Sequence, residues 1–279
     1  MEKISKRCEA IIREKQEKHF EGKCWESGKK VVTLHPIMRY FIWFGYDGTD
    51  YHGWQIQPNG VTVQSELQRC LSLLMREEVS VTGAGRTDAG VHARRMAAHF
   101  DTEQVLDTAL MVKKLNGLLH DDIAVYGMER VADDMHARFS ATSRTYHYYI
   151  HTHKSPFLRQ YSLEIHYQLD YALMNEAGRI LMEYEDFGAF CKAGSDVKTT
   201  LCKVTEARWV QTSPTEWYFE ITANRFLRNM VRAVVGTLVE VGRGRMSLDE
   251  FRLVIEGKKR TQAGESMPAK GLFLEEIKY

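Results

Sequence analysis

From residue 38 onward, apolar residues alternate between two spacings along the chain. A run rich in aromatic residues and Ile, Arg39 to Gly45, is typical of a strand, whereas residues 63–74 carry apolar side chains at helical spacing. The same reasoning predicts further strands at 79–81, 97–101, 123–131, 146–150, 201–210, 217–223 and 272–277, and helices at about 110–119 and 171–184 and from Phe226 onward. Ser247 and Glu250 form a capping-box pattern that predicts one more helix. Interspersed strands and helices of this kind indicate an α+β protein of two similar halves with mainly antiparallel sheets.

The first 37 residues have a different pattern. A mixed-charge run from Glu2 to Glu21 suits an exposed helix, and it contains neither a signal-peptide core nor the acid-poor composition of a transit peptide. No apolar run anywhere is long enough to cross a membrane. We therefore divide the chain into an N-terminal extension, 1–37, and two α/β halves, 38–140 and 141–279.

Cysteine usage favours a reducing compartment, because the five cysteines are an odd set with no C-x-x-C pair. Cys8, His19, Cys24 and His35 suggest a zinc site, but their spacing matches no established ligand motif. His151 and His153 would share one face of a strand, where a strand end exposing two histidines explains them as well as a metal or phosphate site. We expect no metal.

The charge balance alone does not indicate a nucleic-acid enzyme, since the formal net charge is only +1. Local basic clusters nevertheless exist, and a local cluster is sufficient to attract phosphate. They are Arg94 with Arg95, Arg138 with Arg144, Arg225 with Arg228 and Arg232, and Arg243 with Arg245.

The segment Gly83 to Ala93 is the strongest candidate for a reactive loop. Three glycines and three alanines in its eleven positions let a substrate approach closely and leave Arg86, Asp88 and His92 as the reactive groups. A dinucleotide fingerprint would need Gly or Ala at Asp88, and a P-loop would need Lys followed by Ser or Thr after its last glycine. Nucleotide cofactors are therefore disfavoured. The alternative of a glycine-rich surface turn, in which Asp88 caps the next element, stays open.

The sequence GRTDAGVHA at 85–93 resembles the catalytic loop of the TruA-type tRNA pseudouridine synthases. Four further segments resemble motifs of this family, in the family's order. They are YDGTDYHGWQ at 46–55, HARFSATSRTY at 136–146, FLRNMVR at 226–232 and AKGLFL at 269–274. This resemblance implies two ferredoxin-like halves around a central RNA-binding cleft, and a cytoplasmic, cofactor-free homodimer. The implied reaction converts uridines 38, 39 and 40 of the tRNA anticodon stem-loop to pseudouridine.

The resemblance also implies roles for individual residues. Asp88 is the expected nucleophile, with attack on the ribose or on the uracil ring both open, and a carboxylate there could also stabilise positive charge at C1′. Arg232 is its expected guanidinium partner. Tyr146 is the ring that stacks on the target uracil and a candidate base for the C5 proton. Leu272 packs at the pocket and Arg86 helps to extrude or hold the flipped nucleotide. The remaining expected RNA contacts are His92, Arg138, Arg144 and Arg228. If residues from 226 onward are helical, Arg225, Arg228 and Arg232 share one helix face.

Two other functions remain open at this stage. A catalytically silent RNA-binding module would need only the basic clusters and aromatic strands, although retention of Asp88, Tyr146 and Arg232 together argues against it. A nucleoside hydrolase or glycosidase would use a metal or a second carboxylate, for which Asp47 and Asp50 are candidates. Turn formation after the first strand is the simpler explanation of those two residues.

Overall fold

The computed structural model describes residues 36–195 and 197–279, and residues from Ile37 onward form one compact unit. The described strands are β1 (Met38–Tyr46), β2 (Thr82–Gly83), β3 (His92–Thr102), β4 (Ile123–Val131), β5 (Ser143–His151), β6 (Leu163–Glu164), β7 (Val204–Ser213), β8 (Glu216–Ala223) and β9 (Leu272–Lys278). The described α-helices are α1 (Val63–Met75), α2 (Thr108–Asn116), α3 (Tyr171–Leu181), α4 (Met230–Gly242) and α5 (Leu248–Gly257). The expected helix at 1–37 and the zinc interpretation of that segment lie outside the described residues.

These strands form one sheet in the order β4-β1-β3-β9-β5-β8-β7, with β2 added beside β3 and β6 beside β5. The pairs β3–β9 and β5–β6 are parallel, and every other pair of neighbours is antiparallel. The expected mixed fold with a mainly antiparallel sheet is therefore confirmed. Its division into two ferredoxin-like halves, and the boundary at residues 140 and 141, stay predictions.

Apolar side chains collect in two cores along this sheet. The first is formed mainly by β1, β3 and β4 with α1 and α2, and the second mainly by β5, β7 and β8 with α3, α4 and α5. α4 is apolar on nearly all sides and almost wholly buried, as expected of a helix without a polar face. None of the described helices is long and apolar enough to cross a membrane.

The last strand, β9, joins the two parts of the sheet. It pairs with β3 on one side, where Phe273 lies opposite His92, and with β5 on the other, where Leu274 lies opposite Tyr146. Leu272 packs in the second core, whereas Leu274 packs in the first. β9 therefore sets the spacing between the loop that precedes β3 and the side chains of β5.

Most predicted elements are found within a few residues of their expected bounds, but the short strand at 79–81 was wrong. The Val79 N–H donates to Ser72 Oγ at 3.0 Å and the Val81 N–H donates to Gln68 Oε1 at 3.0 Å, so α1 side chains satisfy these backbone donors. The strand forms later, at Thr82 and Gly83.

The helix predicted from Phe226 onward was wrong at its start. It begins at Met230, because Asn229 takes a left-handed conformation with φ of 64° and interrupts the helical path. Arg225 and Arg228 therefore precede the helix, and the expected shared helix face with Arg232 does not exist. By contrast, the capping box is confirmed, since Ser247 Oγ accepts from the Glu250 N–H at 3.2 Å and the Glu250 carboxylate accepts from the Ser247 N–H at 2.8 Å.

Candidate active site

Asp88 lies on the glycine-rich loop, residues 84–91, between β2 and β3. The segment after β1 supports this loop, because the Trp54 N–H donates to the Thr87 carbonyl oxygen at 3.3 Å. Gly53 lies so close that a Cβ there would be 2.4 Å from the same oxygen, and its φ is +85°. Only glycine fits that position without displacement of the loop. The motifs at 46–55 and 85–93 are thus in contact through their backbones.

Two arginines approach the Asp88 carboxylate. Arg232 Nη1 donates to Asp88 Oδ2 at 3.3 Å, and Arg228 Nε lies 4.0 Å from Asp88 Oδ1. Arg232 is held in place by Met267, whose carbonyl oxygen accepts from Arg232 Nε and whose N–H donates to the Arg232 carbonyl oxygen. The carboxylate is therefore oriented by a fixed guanidinium while 28% of its side-chain surface stays exposed to a ligand.

Tyr146 lies in β5, between its partners in β8 and β9. Its ring meets Phe226 edge to face, with centroids 5.1 Å apart, and it packs against both cores. Burial raises the pKa of the Tyr146 hydroxyl to about 12, with the charge of Arg144 opposing and that of Asp88 adding to the rise. The hydroxyl is thus protonated at neutral pH, which suits a stacking ring and requires loss of a proton before the oxygen can act as a base.

Leu272 is the first residue of β9 and is 6% exposed. It lies opposite Tyr148, two residues from Tyr146 along β5. The structure thus places Asp88, Arg232, Tyr146 and Leu272 where the loop, α4, β5 and β9 converge.

Arg144 has its terminal nitrogens fully occupied by backbone oxygens. Nη1 donates to the carbonyl oxygens of Asn224 and Ala141 at 2.8 and 3.3 Å, and Nη2 donates to those of Arg138 and Ala84 at 2.6 and 3.2 Å. Burial lowers the pKa of this half-buried guanidinium. Arg144 therefore connects the base of the glycine loop to β8 and to the segment before β5, and few of its donors remain for RNA.

Three of the expected RNA contacts are exposed. Arg86 and Arg138 both project from the surface, and 60% of the Arg228 side chain is accessible. Such side chains can meet phosphate without desolvating a buried charge.

His92 differs from these arginines, because the structure buries it completely. Its ring stacks on Phe273 with centroids 4.4 Å apart, Nδ1 accepts from the Gly48 N–H at 3.1 Å, and Nε2 lies 3.2 Å from the Lys270 carbonyl oxygen. Burial lowers the pKa of His92 even though Asp47 is close. A neutral, buried ring cannot bind a phosphate. His92 instead links the start of β3 to Phe273 and Lys270 at the start of β9.

Asp47 is occupied by the turn that follows β1. It accepts from the Thr49 N–H at 2.9 Å and from the Tyr161 hydroxyl at 2.7 Å. Burial acts to raise the pKa of Asp47, but these hydrogen bonds hold that pKa below its ordinary value. Asp50 is exposed on the same turn. This arrangement agrees with turn formation and leaves the hydrolase interpretation without a free second carboxylate at Asp47.

His151 and His153 do not share a strand face at a metal site. His151 is buried with Nδ1 2.9 Å from Ser162 Oγ, while His153 lies beyond the strand and is exposed. Among the residues that the structure describes, no group of His, Cys, Asp and Glu has the geometry to hold a metal ion.

Sequence reasoning missed the backbone groups that fix the arginines. The carbonyl oxygens of Met267, Asn224 and Ala84 leave no signal in residue type, because any residue supplies one. Phe226, the aromatic neighbour of Tyr146, could have been found from sequence, because it is the first residue of the FLRNMVR motif.

Comparisons with known proteins agree with one another. The sequence profile of a family described as tRNA pseudouridine synthase matches residues 43–140 and 184–279. A tRNA pseudouridine synthase A from Bacteroides thetaiotaomicron is 55% identical over 245 residues, which cover 87% of this chain and 91% of the relative. Proteins of the same name from Bacteroides fragilis and Porphyromonas gingivalis are 54% and 49% identical, and cover 87% of this chain and 97% and 98% of their own lengths.

Proposed function

Because the chain belongs to the tRNA pseudouridine synthase family and is therefore an isomerase, we propose that it converts uridine to pseudouridine at positions 38, 39 and 40 of the tRNA anticodon stem-loop. The observation that carries this proposal is the Asp88 carboxylate, held by Arg232 at 3.3 Å and close enough to Tyr146 for its charge to raise the pKa of that hydroxyl. No cofactor is required, since uridine and pseudouridine are isomers and the reaction involves neither redox change nor an energy source.

Asp88 starts the reaction as the nucleophile. Its carboxylate attacks C1′ of the ribose as the bond from C1′ to N1 of uracil breaks, and the bonding electrons leave with the base. The freed uracil turns within the pocket, and C5 forms a bond to C1′ as the carboxylate departs. The proton on C5 is then lost and N1 gains one, so the product has the composition of the substrate.

Arg232 and Arg228 orient the carboxylate for this attack. Arg232 is fixed by both backbone groups of Met267, which limits its movement during the reaction. Arg228 is more exposed and has a longer contact with Asp88, so it is free to meet a phosphate of the incoming nucleotide as well.

Tyr146 and Leu272 form the walls of the uracil pocket. The Tyr146 ring stacks on the flipped base, and Leu272 supplies an apolar surface beside it. The Tyr146 hydroxyl passes its own proton to N1 of the base, and the phenolate left behind accepts the proton from C5. Arg86 holds the flipped nucleotide outside the RNA helix. This contact offsets the cost of unstacking the base, which is about a few kcal/mol.

The remaining four residues divide into two groups. Arg138 and Arg228 contact RNA directly, as their exposure supports. Arg144 and His92 act through the loop, because the donors of Arg144 are bound to backbone oxygens and His92 is buried. The enzyme works on tRNA in the cytoplasm as a homodimer, which sedimentation of the purified protein would test.

Mapping the modified positions tests the substrate assignment. The purified protein is incubated with transcribed tRNA carrying uridine at 38, 39 or 40, and pseudouridine is located by carbodiimide labelling and primer extension. We expect stops at these three positions and none in a transcript with cytidine at all three. Modification confined to another arm of the tRNA would contradict the proposal.

A further inference from the structure

A turn beside the glycine loop exposes a phenylalanine and buries an alanine. Phe139 has 76% of its surface accessible, while Ala137, two residues earlier, has none. This reverses the usual burial preference, because leaving a Phe side chain in water forgoes far more burial free energy than leaving an Ala side chain there.

The turn is held in this form by hydrogen bonds at nearly every residue. His136 Nδ1 accepts from the N–H groups of Arg138 and Phe139 at 3.0 and 3.3 Å, and the His136 N–H donates to Ser140 Oγ at 2.9 Å. The Ala137 carbonyl oxygen accepts from the Tyr279 hydroxyl at 2.6 Å. The exposed ring is therefore presented on a fixed support and does not result from a frayed segment.

Two side chains of the same turn flank the Phe139 ring. The His136 ring lies with its centroid 4.4 Å from that of Phe139, and the Arg138 guanidinium carbon lies 5.5 Å from the Phe139 centroid. An exposed aromatic ring next to a guanidinium is the combination on which single-stranded nucleic acids stack their bases.

Arg144 couples this turn to the reactive loop. The same Nη2 atom donates to the Arg138 carbonyl oxygen and to the Ala84 carbonyl oxygen, so one guanidinium bridges the two backbone segments. Arg86, which the proposed function assigns to the flipped nucleotide, follows Ala84 by two residues. The turn therefore lies next to the loop that the proposed function places against the flipped nucleotide.

We propose that Phe139, supported by His136 and Arg138, is a stacking subsite for an unpaired nucleobase of the RNA substrate, next to the nucleotide that is flipped. The subsite rests on the proposed function, because it assumes that RNA enters at the glycine loop. Stacking of this kind tolerates any base, since each base has a π face, so the subsite contributes affinity and placement without reading sequence.

Binding of transcribed tRNA to Phe139→Ala, Phe139→Tyr and the wild type tests the subsite. Equilibrium affinity is measured by fluorescence anisotropy over a salt series, with pseudouridine formation followed on the same tRNA. Leu253→Ala is the matched control, because Leu253 is an exposed apolar residue on α5.

We expect Phe139→Ala to bind tRNA about 5- to 150-fold more weakly and Phe139→Tyr to bind as the wild type does. The salt slope should stay unchanged, because a phenyl ring neutralises no phosphate. Leu253→Ala should keep wild-type affinity.

Wild-type affinity in Phe139→Ala, with active wild type, would overturn the subsite and leave the proposed function standing. A change of oligomeric mass in Phe139→Ala without a change in affinity for tRNA would also overturn it, since the ring would then serve a protein contact. A wild type that neither binds nor modifies tRNA would overturn both proposals.

Discussion

At the scale of single residues, the site separates arginines that are free to meet RNA from one that is not. Arg138 projects into solvent, whereas Arg144 donates to four backbone carbonyl oxygens from distinct parts of the chain. Sequence alone treats the two as one basic cluster. In our account Arg138 therefore binds RNA, whereas Arg144 positions the backbone.

Substitution of Arg144 distinguishes positioning from phosphate binding. Arg144→Gln and Arg144→Lys should both lower kcat, by up to about a hundredfold, because neither side chain can hold four carbonyl oxygens and the loop shifts. The salt slope of tRNA binding should stay at the wild-type value in both variants. Arg138→Gln, the comparison variant, should reduce that slope by about one unit.

An Arg144→Lys enzyme with wild-type kcat, together with a reduced salt slope in Arg144→Gln, would assign Arg144 to phosphate instead. Thermal melts of each variant separate loss of kcat from loss of folded protein.

At the scale of elements, the start of α4 is set by one backbone conformation. Asn229 has φ of 64°, and Asn is among the residues that adopt this region most readily. The turn lets Arg228 and Arg232 approach Asp88 from different backbone directions, one before the helix and one inside it. A helix that began at Phe226 would not place them in this way.

Asn229→Gly and Asn229→Ala test this element. Both lose the hydrogen bond from the Asn229 amide to Ser266 Oγ, so their difference reports the backbone conformation alone. Ala should be less stable than Gly by about 1 kcal/mol, because its Cβ is strained at positive φ. Urea unfolding measures this difference, and equal stability of the two variants would show that the helix start has shifted.

At the scale of the whole molecule, β9 makes one sheet of two parts. It pairs with β3 and β5 and contributes to both cores, so neither part is complete without it. The candidate active site includes Leu272 of this strand. Its geometry therefore depends on both parts being folded together.

Hydrogen exchange in increasing urea tests this dependence. Peptides from β1 and from β8 should lose protection at the same urea concentration, since unfolding of either part removes the partner of β9. Mass spectrometry of the exchanged peptides gives both midpoints in one experiment. Clearly separated midpoints would mean that the two parts unfold independently.

Much of this architecture could be predicted from sequence because it is local. Periodicity predicted β4, the Ser247 and Glu250 pattern predicted the start of α5, and resemblance to the family motifs named Asp88, Tyr146 and Arg232 as candidates. The burial of His92 and the bound donors of Arg144 could not be predicted, because both depend on chain segments far apart in sequence. The left-handed Asn229 is local, but Asn adopts helical conformations as well, so the residue type did not decide between them.

The most direct test of the central claim, that Asp88 carries the reaction, is tritium release from tRNA transcribed with C5-labelled uridine. Joining C1′ to C5 must expel this hydrogen, so release reports the isomerisation itself. The wild type should release tritium, and Asp88→Asn should release none while still binding tRNA, because the amide cannot act as the nucleophile. Release by Asp88→Asn at the wild-type rate would contradict the account.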